Sequence, residues 1–281
     1  MELGAGTPAA PVRRARQGGD AVVRQSEFGW VARAGLVARG VVYAVIGLLA
    51  IEVAVGSGGK ATNQQGALQT IAAQPFGKVL LVAVAVGLAG YAAWRLVRAA
   101  VGHGTQERDS AFDRVAAAAS GLVYLLLCAV AVKVLTGSGG GGGASAPKRT
   151  TAGVLGWSGG QVIVGAAAAV LIGVAIYQAY KGLARKFMEE ANTQLMSPPV
   201  RRAYEALGIF GHVARSVVFG LVGYGLLVAA IDYDPRKAIG LDGALRELAG
   251  SSYGPLLLGI VSAGLIGFGV FSIAEARYRK V

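Results

Sequence analysis

Charged residues are scarce in this chain. They make up 15% of its 281 residues, whereas soluble domains carry roughly 25%, because a solvated surface needs them. Hydrophobic residues make up 54%, so water cannot solvate most of the surface, and we expect lipid to cover much of it. Glycine is plentiful at 44 residues, but it lacks the period that would indicate collagen.

Cysteine and histidine are nearly absent as well. The single cysteine, Cys128, excludes an internal disulfide framework and a cysteine-based zinc cluster. The two histidines, His103 and His212, share no local motif, and the carboxylates are scattered along the chain. We therefore expect no metal site and no cofactor.

Six apolar stretches are long enough to cross a bilayer, which takes roughly 20 residues of helix, because lipid offers the backbone no hydrogen-bond partners. They cover residues 35–55, 78–100, 114–135, 160–181, 210–231 and 254–274. The sequence therefore predicts an all-α integral membrane protein with six transmembrane helices. Residues 1–27 contain arginines but no apolar signal-peptide core, and we interpret them as a disordered basic tail.

The basic residues are distributed unevenly between the two sets of loops. Of the 27 lysines and arginines, 17 lie in the amino-terminal tail, around the loops after the second and fourth spans, and at the carboxyl end, and 8 lie in the other loops. This positive-inside pattern predicts an inner-membrane protein with both termini in the cytoplasm, where anionic lipids would be partners of the basic face. The net charge of +12 does not indicate nucleic-acid binding, because no foldable soluble segment interleaves basic and aromatic residues.

An internal repeat is the strongest pattern in the sequence. The run that begins at Arg39 recurs at Ser120 and at Arg215. Each copy contains two spans, so every copy enters the membrane from the same side, and such repeats are related by an axis along the membrane normal. We predict three parallel two-helix repeats with pseudo-threefold symmetry. The repeats cover residues 28–102, 110–182 and 205–280.

The loops within the repeats differ. In the first and third copies, residues 63–74 and 240–249 contain matching Gly-Ala-Leu motifs and could form short helices along the membrane surface. In the middle copy, the glycine-rich residues 137–143 replace this motif and predict a flexible tether. The middle copy is therefore the most divergent of the three.

Small residues recur at matched positions of the spans. They let helix backbones approach closely, which drives helix association in lipid. Cys128 occupies a repeat position that is glycine in the other copies, so we interpret it as a packing residue. The positions that we assign to helix packing are Gly40, Gly47, Gly87, Gly121, Gly173, Ser216, Gly223 and Gly264.

Two runs of the first copy carry a family resemblance. The run from Arg39 to Gly47 and the run from Gly87 to Arg95 resemble the bacterial membrane family named "domain of unknown function 1206". The resemblance extends over residues 34–280 and is weakest in the middle copy. It implies tandem two-helix membrane repeats, often three, and it implies no activity.

Charges inside the spans are the main functional candidates, since a charge at mid-membrane costs roughly 2.5–3.5 kcal/mol on insertion scales. Arg39 and Arg215 occupy equivalent positions about one turn inside the cytoplasmic boundary. They either extend to lipid phosphate or face the pseudo-threefold axis and bind an anion there. Glu52 and Lys133 share a repeat position near the outer boundary, where they form an ion pair, are solvated independently, or act as a gate or proton site.

Two motifs resemble catalytic signatures without their context. Gly156-Trp157-Ser158-Gly159-Gly160 fits the nucleophile elbow, but no strand precedes Ser158 and both histidines belong to the opposite side of the membrane. The run from Gly56 to Ala61 resembles a phosphate loop but lacks its first glycine and its final Ser or Thr. We therefore expect no enzyme activity.

The favoured function is a structural or accessory membrane protein, and the alternative is a transporter or channel for small solutes or ions along the axis. A transporter should arrange Arg39, Tyr43, Ser120 and Arg215 around a hydrated cavity. A structural protein should fill the axis with Gly, Ala and aromatic packing.

Overall fold

The computed structural model describes residues 27–56, 63–75, 77–101, 111–137 and 146–279. Within these ranges the chain is helical and contains no strand. The nine α-helices are α1 (Glu27–Ala54), α2 (Gln64–Ala73), α3 (Gly77–Val101), α4 (Ala111–Leu135), α5 (Ala146–Leu155), α6 (Gly160–Leu183), α7 (Pro198–Ile231), α8 (Leu241–Gly250) and α9 (Gly254–Tyr278). The predicted basic tail and most of the predicted glycine-rich tether lie outside the described residues.

Six helices, α1, α3, α4, α6, α7 and α9, are long and apolar enough to cross a membrane, as predicted. Their sequences are mostly Ala, Val, Leu, Ile and Gly, so a helix satisfies every backbone group internally while presenting apolar side chains to lipid. Proline occurs at the start of α7 and α9, where its missing N–H costs nothing. The six helices indicate a multi-pass membrane protein.

A short helix connects the two long helices of each repeat. The helices α2 and α8 confirm the short helices predicted over 63–74 and 240–249. The middle repeat differs from its prediction, because a third short helix, α5, follows the glycine-rich tract. Its last carbonyl, that of Leu155, accepts a hydrogen bond from the Tyr233 hydroxyl after α7, which holds α5 against the bundle. All three repeats therefore share one order of long, short and long helix.

A glycine begins the second long helix of every repeat. These residues are Gly77, Gly160 and Gly254. A Cβ atom there would lie only 1.9 or 2.0 Å from a carbonyl oxygen of the preceding short helix, so the tight junction admits no side chain. Gly160 thus marks in the middle repeat the same turn that the other two repeats use.

The long helices pack in one series, in the order α6, α7, α9, α1, α3 and α4. Neighbours run in opposite directions: Gly40 of α1 lies against Gly269 of α9, and Gly47, further along α1, lies against Ser262, earlier in α9. The two ends of the series, α4 and α6, are the long helices of the middle repeat. Among the described residues, they make at most isolated contacts with each other, so the series does not close.

The core follows the centre of this series. About half of the spans in α1 and α9 is buried, at 50% and 56%, whereas only 11% of the α4 span and 22% of the α6 span is buried. The largest fully buried side chains, Tyr91, Phe268 and Phe271, lie in α3 and α9. The helices α4 and α6 therefore present most of their apolar surface outward.

Candidate functional site

Buried and half-buried charges gather at one end of the bundle, the end at which α1 begins and α9 ends, which we name the terminal end. The charge cluster consists of Arg39 in α1, Lys181 in the last turn of α6, Glu190 between α6 and α7, Glu275 in α9 and Arg279 just after α9. The cluster therefore connects the first and the last long helix to the end of α6 in the middle repeat.

Glu275 is the centre of the charge cluster. Arg39 Nη2 contacts Glu275 Oε2 at 2.6 Å, and Arg279 pairs with the other carboxylate oxygen. Arg39 also donates through Nε to the hydroxyl of Ser272 at 2.8 Å. The side chains of Arg39 and Glu275 are only 10% and 8% exposed. Both carboxylate oxygens thus have a cationic partner, which a buried carboxylate requires.

Glu190 extends the charge cluster toward the middle repeat. It accepts from Lys181 Nζ at 2.6 Å and pairs with Arg279 Nη2 at 3.1 Å. Burial alone would raise the pKa of Glu190, but the charges of Lys181 and Arg279 outweigh it and lower the pKa to about 2. The neighbouring Asn192 donates its backbone N–H to the carbonyl of Tyr278 at 2.7 Å, which fixes this segment against the end of α9.

Aromatic rings surround the charge cluster. The Arg39 guanidinium lies 5.1 Å from the Phe268 ring centroid, and that of Arg279 lies 5.2 Å from Trp94, both within cation–π range. The rings of Phe187 and His212 stack with centroids 5.3 Å apart. Ion pairs and aromatic rings therefore pack together at the terminal end.

Glycine makes room for this aromatic packing. A Cβ at Gly208 would lie 2.4 Å from the Phe187 ring, so only glycine admits the ring against α7. One turn further, His212 Nδ1 lies 2.7 Å from the carbonyl of Gly208. His212 is 4% exposed, so it is a core residue of the terminal end.

Arg215 has the same position in its repeat as Arg39, but different partners. Its guanidinium lies 4.2 Å from the Phe268 ring and 5.0 Å from the Tyr43 ring. With its amide oxygen turned toward Arg215, Gln178 accepts from both terminal guanidinium nitrogens at 2.8 and 3.2 Å. The Nε atom is buried without a hydrogen-bond partner among the described residues. No ion pair within the described part of the chain includes Arg215.

Arg215 also lines a cavity of about 150 Å³. The cavity extends from Arg215 and Tyr43 to Gln64 and Leu241, at the starts of the short helices α2 and α8. The other lining residues are aliphatic or aromatic. Of the two equivalent arginines, Arg39 therefore pairs with a carboxylate inside the protein, and Arg215 faces a cavity.

Glu52 and Lys133 are not brought together. Both side chains are exposed, one on α1 and the other in the last turn of α4. The helices α1 and α4 are not neighbours in the packed series, and none of the ion pairs among the described residues joins these two. Two residues at the same position of two repeats, and so at the same depth in the membrane, therefore need not be in contact.

Most of the predicted packing positions lie at helix contacts. A Cβ would lie within 3.0 Å of a neighbouring helix at Gly40, Gly47, Gly87, Gly121, Gly223 and Gly264. Ser216 is half-buried. Gly173 differs, because no atom of the described residues lies within 4 Å of the place of its Cβ. In the other repeats this position packs against the first long helix of the same repeat, and in the middle repeat that helix, α4, is not adjacent. Cys128 approaches the carbonyl of Ala85 at 3.4 Å, in the contact between α3 and α4.

The residues of the nucleophile-elbow motif lie far from any described histidine. Ser158 is exposed before the start of α6, whereas His212 packs against Gly182 near its end. The separation along α6 is about 33 Å at 1.5 Å per residue. Within the described ranges, no group of three His, Cys, Asp or Glu side chains could hold a metal ion. His103 and most of the phosphate-loop-like run lie outside the described residues.

The acidic members of the charge cluster, Glu190 and Glu275, were not predicted from the sequence. Glu275 lies in the last turn of an apolar span, where it was indistinguishable from the solvated charges beyond the membrane boundary. One signal was available: Glu275 and Arg279 are four residues apart, which places them on one helix face. Glu190 offered no signal, because it lies in an irregular segment.

Comparison with known proteins gives a family and one similar protein. The family described as "Domain of Unknown Function (DUF1206)" matches the chain three times, over residues 34–102, 115–185 and 210–279. The chain is 34% identical over 265 residues to "Uncharacterized protein YxxB" of Bacillus subtilis (strain 168), a match that covers 92% of this chain and 95% of that protein. No solved structure matches.

Proposed function

Because the chain belongs to the DUF1206 family, whose description assigns no activity, we propose its function from the geometry: a structural or accessory protein of the bacterial plasma membrane. The observation that carries this proposal is the terminal end, where five charged side chains pair internally among aromatic rings. A solute path would need these groups to face water. A structural protein needs them to hold helices together.

The proposed architecture is three parallel repeats around an axis along the membrane normal. The packed series supports it, because the second long helix of each repeat contacts the first long helix of another: α3 with α4, α6 with α7, and α9 with α1. The arrangement departs from threefold symmetry in the middle repeat, where α4 and α6 stay apart.

The proposed orientation has the termini in the cytoplasm. It rests on the distribution of lysine and arginine, which is 17 on that side against 8 on the other. The proposed partners at that face are anionic lipids, each surface Lys or Arg adding about 1 kcal/mol to the attraction. We propose neither nucleic-acid binding nor catalysis. Catalysis by Ser158 is not proposed because Ser158 precedes the start of α6, whereas His212, in α7, packs against the end of α6.

Transport of a small solute is the second candidate, and the cavity at Arg215 favours it. Such a path would continue from the cavity through the terminal end, so the charge cluster would have to open in each cycle. Separating Arg39 from Glu275 leaves a buried carboxylate short of one partner, which costs several kcal/mol. This cost favours the structural role.

Thiol labelling distinguishes the two candidates. Ser272 is fully buried beside Arg39, and Arg277, on the same helix, is exposed. We would place a single cysteine at either position, as Ser272→Cys or Arg277→Cys, in a Cys128→Ala background, and treat membranes with a small water-soluble thiol reagent, which reacts with thiolate in water.

The structural role predicts rapid labelling of the Arg277→Cys variant and no labelling of the Ser272→Cys variant until the protein is denatured. Comparable labelling rates for both variants would mean that water reaches the charge cluster in the native state. The structural proposal would then be wrong, and transport would replace it.

A further inference from the structure

We propose that the cavity beside Arg215 binds an anionic amphiphile, a carboxylate or phosphate group attached to an apolar chain. The charge of Arg215 is not balanced by any carboxylate among the described residues. Its polar partner is the neutral amide of Gln178, its Nε has no acceptor among the described residues, and the rings around it supply only cation–π contacts. A guanidinium removed from water is stabilised far more by an anion, with which it forms short charge-assisted hydrogen bonds.

The cavity is mostly apolar apart from its end at Arg215. Leu171, Val218, Val222 and Leu265 line it beyond the guanidinium, so only the end at Arg215 suits an anionic group. Apolar cavities of about 150 Å³ hold a molecule of the size of benzene. This cavity therefore has room for an anionic group and the first few carbon atoms of a chain.

A ligand can approach the cavity from the membrane. The cavity is lined by residues of α1, α2, α6, α7, α8 and α9, and no described residue of α3 or α4 contributes. Among the described residues the series of long helices does not close between α4 and α6, and this gap offers a lateral route from the bilayer toward the cavity. A ligand that dissolves in the membrane can enter there, whereas a strongly hydrated small ion cannot.

Arg39 does not bind this ligand. Its guanidinium already pairs with Glu275 and donates to Ser272, and it does not line the cavity. The two equivalent arginines therefore differ in function. The inference concerns Arg215 alone and does not depend on whether the terminal end is closed.

Equilibrium binding of radiolabelled octanoate tests the inference. The full chain would be reconstituted in phosphatidylcholine nanodiscs, with empty nanodiscs as the blank. Octanoate combines an anionic group with a chain; acetate lacks the chain and octanol lacks the charge. We expect saturable octanoate binding that excess unlabelled octanoate displaces, and that neither acetate nor octanol displaces at the same concentration.

Two variants and one control identify the site. Arg215→Gln should weaken octanoate binding at least about tenfold, because it removes the charge. Val222→Phe keeps Arg215 but fills the cavity, and it should also abolish binding; it serves if Arg215→Gln does not fold. Arg246→Gln, at an exposed arginine of α8, should bind as the wild type does.

Nanodiscs that contain phosphatidylglycerol separate the two sources of the ligand. If this lipid competes with octanoate, the natural ligand is an anionic phospholipid; if it does not, the ligand is a free acid. Either result supports a ligand that combines an anionic group with an apolar chain. An absence of saturable octanoate binding to the wild type, or equal affinity in Arg215→Gln, would overturn the inference. Neither result would affect the labelling test of Ser272→Cys.

Discussion

Arg39 and Arg215 occupy the same position of two repeats and both lie over the ring of Phe268, at 5.1 and 4.2 Å, yet among the described residues only Arg39 has a carboxylate partner. The difference comes from the helix that packs against each arginine's helix. Arg39 faces α9, which carries Glu275, whereas the matching repeat position beside Arg215 is Ala184, just after the end of α6. The same motif is therefore part of an ion pair in one repeat and of a cavity in another.

This difference predicts unequal effects on stability. Arg39→Met leaves Glu275 buried with one cation fewer, and we expect a loss of about 3 kcal/mol in the free energy of unfolding. Arg215→Met removes no described ion pair but leaves the buried Gln178 amide without its two hydrogen bonds, and we expect a smaller loss of about 1 kcal/mol. Thermal or denaturant unfolding in a mild detergent would measure both. Equal losses would contradict the assignment of partners.

A second prediction compares two equivalent glycines. A Cβ at Gly264 would lie 2.4 Å from the Cβ of Ala214, so Gly264→Ala should destabilise the protein by about 1–3 kcal/mol through overpacking. Gly173 faces open space, so Gly173→Ala should be neutral or should stabilise by up to about 1 kcal/mol, the helix propensity of alanine over glycine.

Unfolding in detergent would again be the measurement for this pair. A strong destabilisation by Gly173→Ala would show that α4 and α6 do pack together in the native protein. The gap between these two helices would then be wrong.

A third prediction concerns pH. The folded-state pKa of Glu190 is lowered to about 2 from its ordinary value of 4.5, so the unfolded chain binds the proton more tightly. Its contribution to stability is therefore complete above pH 4.5 and is lost as the pH falls toward 2. At neutral pH, Glu190→Gln should cost about 1 kcal/mol, a small value because the side chain is partly exposed.

The cost of Glu190→Gln should decline between pH 4.5 and pH 2, when melting temperatures of variant and wild type are compared across this range. The neighbouring Glu189→Gln, at a more exposed carboxylate, is the matched control and should show a smaller cost at every pH. A cost for Glu190→Gln that does not change with pH would mean that its charge is not the source.

The sequence predicted the spans because hydropathy over about 20 residues depends on lipid alone and not on neighbouring helices. It predicted α2 and α8 from a repeated Gly-Ala-Leu motif. It missed α5, because Ala146–Leu155 lacks that motif and follows the glycine-rich tract. What the middle repeat shares with the other two is a glycine, Gly160, at the start of its second long helix, and the crowded junction in the structure explains this glycine.

The candidate site was predictable only in part. Arg39 and Arg215 stood out because a charge in an apolar span is costly anywhere. Their partners did not, because which helix lies beside which is a property of the whole bundle. The pairing proposed for Glu52 and Lys133 illustrates this, since equal depth could not reveal that α1 and α4 are not neighbours.

A double-mutant cycle on Arg39 and Glu275 tests the central claim that the charge cluster is an internal structural connection. The free energy of unfolding would be measured for the wild type, Arg39→Met, Glu275→Gln and the double variant. The structure predicts that the double variant is less destabilised than the sum of the single variants, by a coupling of about 2 kcal/mol, because the two side chains are in direct buried contact. Effects that add within about 0.5 kcal/mol would mean that the pair contributes nothing, and the structural role of the terminal end would be wrong.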